Sequence, residues 1–114
     1  MKIAFTAKGT DWQDQIDPRF GRCAYLVFYD EDTDTIDWID NGSSAGIDHG
    51  AGPQTAQKLL TRKPDILITG NGPGGNASRV LSYSQITVYT GAADKSLQEA
   101  YQDFKNNRLT EFKF

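Results

Sequence analysis

Short apolar runs separated by polar segments predict a strand-rich first half of the chain. The run from Lys2 to Thr6 predicts a first strand, which a long polar loop follows. Residues 24–29 contain Tyr, Leu, Val and Phe in succession and predict a second strand. Residues 35–39 alternate apolar with polar side chains, as in a strand with one solvated face. Because the acidic segment 31–34 makes a turn between them, these two strands are expected to form a β-hairpin.

The second half alternates helices with strands. We expect Pro53 to open a helix at its first position, where a missing N–H costs nothing, and Lys63-Pro64 to end it. A strand at 65–69, a glycine-rich loop, a helix of roughly 76–83 and a strand at 86–89 follow. The last helix is predicted by an apolar stripe with helical spacing, formed by Leu97, Ala100, Tyr101 and Phe104. Ser96 and Glu99, three residues apart, predict a capping box at its start.

A hairpin followed by two β–α steps predicts a mixed sheet of about five strands. Right-handed crossovers place helices on both faces of such a sheet, so the expected fold is a three-layer α/β/α sandwich. The sequence contains no internal repeat and no linker, and 114 residues suffice for one core. We therefore expect a single domain over residues 1–114, with a polar tail after about residue 105 that is loosely ordered.

Composition excludes several classes of function. The chain carries 12 basic and 15 acidic residues, a net charge of −3, which argues against nonspecific nucleic-acid binding. No apolar run approaches the roughly 20 residues that span a bilayer. The single cysteine excludes an internal disulfide and fits a reducing compartment. These features predict a small cytoplasmic protein with neither nucleic acid nor membrane as a partner.

The segment Gly70–Ala77 is the strongest candidate for a ligand site. Glycines let backbone N–H groups point outward, and a helix N-terminus adds partial positive charge, so the segment favours an anion or an electron-rich ligand. Its position after a strand is where open α/β sheets bind ligands. It also matches a dinucleotide-binding glycine pattern, but it follows a late strand in a chain too short for that fold. Turn chemistry alone is the alternative.

Three further sites could contribute chemistry. Arg19 and Arg22 could balance the charge of an anionic ligand, or could form an ordinary solvated pair, with Arg19 bridging Asp17 or Asp14. Cys23 could supply a soft thiolate ligand or simply pack as a small residue. The single histidine, His49, lies in a glycine-rich loop and could be a weak ligand or a hydrogen-bonding surface residue.

This inventory limits any metal cluster. Ordinary iron–sulfur clusters take about four protein ligands, mostly cysteines. One cysteine and one histidine cannot supply them in a monomer. A bound cluster must therefore bring its own sulfide shell, be shared across a dimer, or lie in a groove without full protein ligation. A preformed anionic thiometallate fits best.

The order of these motifs resembles a known family. Asp-Pro-Arg-Phe-Gly-Arg at 17–22, His-Gly-Ala-Gly-Pro at 49–53, and a strand followed by a glycine loop ending in Asn-Ala occur in this order. The chain from Met1 to about Leu109 is similar to the dinitrogenase iron-molybdenum cofactor biosynthesis family, which includes NifX, the C-terminal part of NifB and the orange protein. The loop at 70–77 departs from the family's usual Gly-x-x-Gly-Pro-Asn-Ala, because Pro73 is displaced and an extra glycine precedes Asn76.

The resemblance implies a ribonuclease H-like fold, a relation to nitrogen fixation, and noncovalent binding of metal–sulfur clusters, as in several members. On this basis the hypothesis is a non-enzymatic carrier of a cluster or its precursor, of Fe-Mo-S or Mo-Cu-S type. Three loops, 17–23, 43–53 and 70–76, would converge at one sheet edge. The expected contacts to the cluster come from Arg19, Arg22, His49, Gly50, Gly52, Gly72, Gly74, Gly75 and Asn76, with His49 or Cys23 as weak metal ligands.

The expected partners are the proteins that donate and accept the cluster, and the expected state is a monomer or weak homodimer. An alternative function is a regulatory or interaction module that binds a small phosphorylated ligand or a partner protein. A metal-dependent nuclease is disfavoured, because the acidic residues surround the hairpin turn instead of converging on the sheet.

Overall fold

The computed structural model describes residues 1–42 and 50–114. Over these residues the chain forms six strands and three helices. In chain order the elements are β1 (Lys2–Ala7), β2 (Tyr25–Asp30), β3 (Thr35–Asp40), α1 (Ala51–Leu60), β4 (Ile66–Ile68), α2 (Gly75–Ser82), β5 (Thr87–Thr90), α3 (Leu97–Lys105) and β6 (Thr110–Phe112).

All six strands form one mixed sheet in the order β3-β2-β1-β4-β5-β6. The first three strands form an antiparallel meander, with Ile3 opposite Tyr29 and Tyr29 opposite Ile36. Strand β4 pairs parallel with both β1 and β5. Because β1 and β4 are covered on both faces, their sequences are almost continuously apolar. The predicted hairpin and the predicted mixed sheet are confirmed.

Helices cover both faces of the sheet, which confirms the predicted three-layer sandwich. On one face, Leu59 of α1 and Leu81 of α2 pack in a buried cluster with Leu26 and Leu67 of the sheet. On the other face, Leu97 of α3 packs with alternate sheet residues, among them Ile3, Phe5 and Ile68. The alternation of side chains along each strand divides the sheet residues between the two clusters.

The chain end differs from expectation. Residues 110–112 form strand β6, which pairs antiparallel with β5 so that Val88 lies opposite Phe112. Phe112 also packs against the cluster under α1 and α2. Residues 110–112 of the tail therefore belong to the sheet, which has six strands where about five were expected. The segment contains one apolar residue in three, too short a pattern to predict a strand without its neighbour.

The first helix also begins earlier than expected. Gly50 is its N-cap, with a left-handed φ of 77°, and Pro53 is its third residue instead of its first. Proline is accepted there because none of the first helical N–H groups has an acceptor within the helix. Within residues 1–42 and 50–114, no helix has the length and apolar character needed to cross a membrane.

Candidate anion-binding site

A pocket of about 360 Å³ opens where the N-termini of α1 and α2 meet the loop before β2. It lies beyond the carboxyl end of β4, since the glycine loop leads from that strand into α2. Its lining consists of Arg19, Gly21, Arg22, Gly50, Ala51, Gly52, Pro53, Gly74, Gly75, Asn76 and Ala77. Seven of the residues expected from the sequence are thus in one place: Arg19, Arg22, Gly50, Gly52, Gly74, Gly75 and Asn76.

Both helices direct N-terminal N–H groups at this pocket that have no acceptor within their own helix. Neither has a side-chain cap or an acidic residue in its first turn. The first bond in α1 runs from the N–H of Gln54 to the carbonyl of Gly50, and the one in α2 from Ser78 to Gly74. The N–H groups before Gln54 and Ser78 therefore have no acceptor in their own helix. Helix α3 contrasts with both, because its N-terminus is closed by the Ser96–Glu99 capping box.

Two lining glycines are required by close packing. A Cβ on Gly21 would lie 2.8 Å from the backbone nitrogen of Gly52. A Cβ on Gly52 would lie 3.2 Å from the Cβ of Ala77. These contacts bring the arginine loop, the start of α1 and the start of α2 together. Here glycine allows the backbone segments to approach each other, which is why the three sequence motifs form one pocket.

Three other lining glycines face open space. Among residues 1–42 and 50–114, a Cβ on Gly50, Gly74 or Gly75 would meet no atom within 4 Å. Gly74 has a φ of −68°, which any residue can adopt, so neither packing nor conformation requires glycine there. The absence of a side chain leaves the N-terminus of α2 accessible from the pocket.

The two arginines have different surroundings. Arg19 is 61% exposed and pairs with the buried carboxylate of Asp17, its Nε lying 3.2 Å from Oδ1. This hydrogen bond, with the charge of Asp17, raises the pKa of Arg19. The bridge to Asp17 is the alternative anticipated from the sequence. Arg22 is partly buried in the pocket wall. Among the described lining residues there are two guanidinium groups and no carboxylate.

A buried polar network behind the pocket was not anticipated from the sequence. The Asn41 amide donates to the carbonyl of Cys23 at 3.0 Å and to Oγ1 of Thr55 at 3.0 Å. The Thr55 hydroxyl donates in turn to the carbonyl of Gly21 at 2.9 Å. Asn41 and Thr55 are fully buried, so these bonds fix the arginine loop to α1. Nothing in the local sequence distinguishes these two residues from surface polar residues.

Gly72 lies outside the pocket lining. Its φ is 23°, and a Cβ there would lie 2.8 Å from the ring of Phe112. Glycine is therefore needed here so that Phe112 of β6 can pack against the loop. The expected contact of Gly72 with a ligand stays a prediction that the pocket lining does not support.

Cys23 is also outside the lining. The residue is fully buried and packs in the cluster under α1 and α2. Burial, followed by the nearby charge of Asp17, raises the pKa of its thiol to about 12. The thiol is neutral at pH 7 and accepts a contact from the Asn41 amide at 3.5 Å. This environment favours the packing role over the metal-ligand role.

His49, the other proposed metal ligand, lies outside the described residues, as does the loop at 43–49. Over residues 1–42 and 50–114, no three His, Cys, Asp or Glu side chains are grouped so that they could hold a metal ion. The described wall of the pocket therefore offers hydrogen-bond donors and positive charge, and it suits a ligand that carries its own anionic surface.

Comparison with known proteins identifies related chains. The family model described as "Dinitrogenase iron-molybdenum cofactor" matches residues 1–107. The apo form of the orange protein from Desulfovibrio gigas superposes with a TM-score of 0.90 at 33% identity, covering 97% of this chain and 92% of that one. A putative NifB protein from Thermotoga superposes with a TM-score of 0.82 at 28% identity, covering 99% and 97% of the two chains. A search of curated protein sequences gave no significant match.

Proposed function

The chain belongs to the dinitrogenase iron-molybdenum cofactor family, and we propose that it binds and carries a metal–sulfur cluster or cluster precursor in the pocket between α1 and α2. The carrier does not transform its cargo. It receives the cluster from one protein and delivers it to another in the cytoplasm.

The observation that carries this proposal is the convergence of two uncapped helix N-termini with two arginines. Neither helix has an acid in its first turn, and no carboxylate is among the described lining residues. Partial positive charges at both termini and the guanidinium groups favour an anion. A thiometallate carries negative charge on its outer sulfides, so backbone N–H groups and arginines can hold it without a bond from protein to metal.

The same donor set suits a carrier. A cluster held by hydrogen bonds and charge can leave without breaking several metal–thiolate bonds. The charge of Arg19 is already partly balanced by Asp17, which moderates its attraction for the cargo. In this proposal His49 adds at most one weak bond to a metal of the cluster, and the cargo is of Fe-Mo-S or Mo-Cu-S type.

Anaerobic titration tests the function directly. The protein is titrated with tetrathiomolybdate plus Cu(I), and in a second series with an iron–sulfide–molybdate mixture. After desalting we expect a visible charge-transfer band and a fixed molar ratio of metal to protein. Absence of both the band and the retained metal in both series would overturn the proposal.

Variants of the pocket test where the cargo binds. Arg22→Ala removes a charge-assisted donor and is expected to weaken binding roughly 10- to 150-fold, from the roughly 1.5–3 kcal/mol of such bonds. His49→Ala is expected to weaken it less. Arg108→Ala is the matched control, since this guanidinium is 70% exposed and lies outside the pocket lining. Equal affinity in Arg22→Ala and the control would exclude the proposed site.

A small phosphorylated ligand is the second candidate. Backbone N–H groups and arginines bind phosphate oxygens as well as sulfides, and the described lining contains no soft metal ligand. Thermal unfolding with phosphate, pyrophosphate and nucleotides distinguishes the two functions. A rise in Tm with these compounds, together with no retained metal in the titrations, would favour the second candidate.

A further inference from the structure

A second cavity, of about 440 Å³, lies on the opposite side of the sheet from the pocket of α1 and α2. Tyr29 of β2 and Tyr101 of α3, which both line it, pack against the buried cluster under α3. Trp12, from the loop after β1, forms a third aromatic wall. Two carboxylates, Asp11 and Asp34, and three glutamines complete the lining.

The three rings hold one another in place. Trp12 meets Tyr29 edge to face, with ring centroids 5.0 Å apart, and Tyr29 meets Tyr101 edge to face at 5.5 Å. Trp12 and Tyr101 are 5.8 Å apart and tilted by 57°. Phe5, in the core, supports Trp12 from behind at 5.9 Å. Mutually inclined rings of this kind form a rigid aromatic wall before any ligand arrives.

The charge of this cavity is opposite to that of the first pocket. Its described lining contains two carboxylates and neither lysine nor arginine. The hydroxyl of Tyr29 donates to Oδ1 of Asp34 at 2.7 Å, which fixes this carboxylate beside the aromatic wall. The faces of aromatic rings are themselves negative, so carboxylates and rings together attract a cation.

A lysine side chain already makes a cation–π contact with one of the three rings. The ammonium group of Lys105 lies 5.6 Å from the centroid of the Tyr101 ring. Lys105 also pairs with Glu31, whose Oε2 accepts a hydrogen bond from the Tyr101 hydroxyl at 2.6 Å. Lys105 does not line the cavity itself, which Trp12, Tyr29 and Tyr101 do.

We propose that this cavity is a binding site for an organic cation, an alkylated ammonium or a guanidinium group. A bare metal ion fits poorly, because two carboxylates are too few and no three metal-ligating groups converge among the described residues. An unalkylated ammonium is strongly hydrated, whereas alkylated ammonium and guanidinium groups lose water more easily and pack on aromatic faces. The site is independent of the anion pocket.

Choline and its uncharged analogue 3,3-dimethyl-1-butanol provide the test. Both have the same shape, and only choline is charged. The reporter is the fluorescence of Trp12 in the Trp38→Phe protein, at constant ionic strength, because Trp38 is the other tryptophan and is 48% exposed on β3. We expect saturable binding of choline and at least 5-fold weaker binding of the alcohol. Equal binding of the two, or no binding of choline, would overturn the proposal.

Two carboxylate variants locate the cation. Asp34→Asn keeps the acceptor for Tyr29 but removes the charge, and is expected to weaken choline binding at least 3-fold. Asp32→Asn removes the same charge from the same turn and is the control, since this side chain is 84% exposed and lies outside the lining. Equal losses in both variants would indicate nonspecific attraction and would reject the site. Circular dichroism of each variant checks the fold.

The source of the cation is distinguished by two further probes. N-acetyl-arginine amide and N-acetyl-trimethyllysine amide present the same charged groups as side chains of a partner protein. Binding of either amide at least as tight as that of choline would indicate a protein side chain. Binding of choline alone would indicate a free small molecule.

Discussion

The buried carboxylate of Asp17 holds the exposed guanidinium of Arg19 at the rim of the anion pocket. The Arg19 Nε lies 3.2 Å from Oδ1, its Nη2 lies 3.3 Å from Oδ2, and its backbone nitrogen lies 3.1 Å from Oδ1. Asp17 is 1% exposed, whereas Arg19 is 61% exposed. The aspartate therefore fixes the arginine in one orientation and balances part of its charge.

Replacing the aspartate separates these two effects. In Asp17→Asn the two contacts to Oδ1 become weaker and the one to Oδ2 is lost, and we expect the free energy of unfolding to fall by about 1–2 kcal/mol, since Arg19 is largely solvated. Because the charge of Arg19 is then unbalanced, tetrathiomolybdate should bind about 3-fold more tightly. Urea denaturation and anaerobic titration measure the two quantities. Weaker binding in Asp17→Asn would show that orientation matters more than charge.

Two glycines of the same loop should differ sharply in their tolerance of alanine. A Cβ on Gly70 would lie 2.6 Å from the Cα of Pro18, a contact that the backbone cannot relieve without moving. We expect Gly70→Ala to destabilise the protein by about 1–3 kcal/mol. A Cβ on Gly74 meets no described atom within 4 Å, so Gly74→Ala should cost only the weaker N-cap of α2, at most about 1 kcal/mol.

Of the two variants, Gly74→Ala should have the larger effect on ligand binding. Because Gly74 lines the pocket, its replacement by alanine is expected to weaken cargo binding, although the protein stays folded. Urea denaturation compared with anaerobic titration checks both expectations. If Gly74→Ala lost stability as Gly70→Ala does, the open space at this position would be refuted.

Stability should fall at alkaline pH because of Cys23. Burial raises the pKa of its thiol from 9.0 to about 12, so the folded state holds the proton more tightly than the unfolded state. This contribution is complete below about pH 9 and is lost as the pH rises from there towards 12. The slope for one such group reaches about 1.4 kcal/mol per pH unit. Tyr29 and Tyr101, with pKa values raised to about 12, act in the same direction above pH 10.

The variant Cys23→Ala isolates this contribution. Its stability at pH 7.5 should be about 1 kcal/mol lower, because the buried sulfur is lost. Its decline between pH 8.5 and 10 should be shallower than that of the unmodified protein. Urea denaturation at several pH values gives both slopes, and parallel curves would contradict the raised thiol pKa.

The capping box of α3 should be worth a measurable amount of stability. The Ser96 hydroxyl accepts from the N–H of Glu99 at 3.1 Å, and the Glu99 carboxylate accepts from the N–H of Ser96 at 3.0 Å. Ser96→Ala removes the first bond and should cost about 1 kcal/mol. Ser82→Ala is the control, since that exposed hydroxyl donates to a carbonyl at the end of α2. Thermal unfolding of both variants makes the comparison, and an equal, small change in each would refute the cap.

Local sequence was sufficient to predict most of the architecture. The alternation at 35–39 predicted the hairpin strand with one solvated face. The apolar stripe from Leu97 to Phe104 predicted the last helix, and the Ser96–Glu99 pair predicted its cap. These patterns record burial at fixed periods along one element, so a single segment contains the information. The three motifs rich in glycine and arginine likewise predicted which described loops line the pocket.

The amino-acid sequence determined the elements other than β6, the fold class and the donor types available to a ligand. Tertiary structure alone decided which glycines are packing contacts, as at Gly21 and Gly70, and which are open, as at Gly74. It also decided that Cys23 is buried, that Phe112 closes the sheet, and that Trp12 meets two tyrosines distant in sequence. The physical reason is that each of these properties depends on atoms from other segments, whose approach no local period encodes.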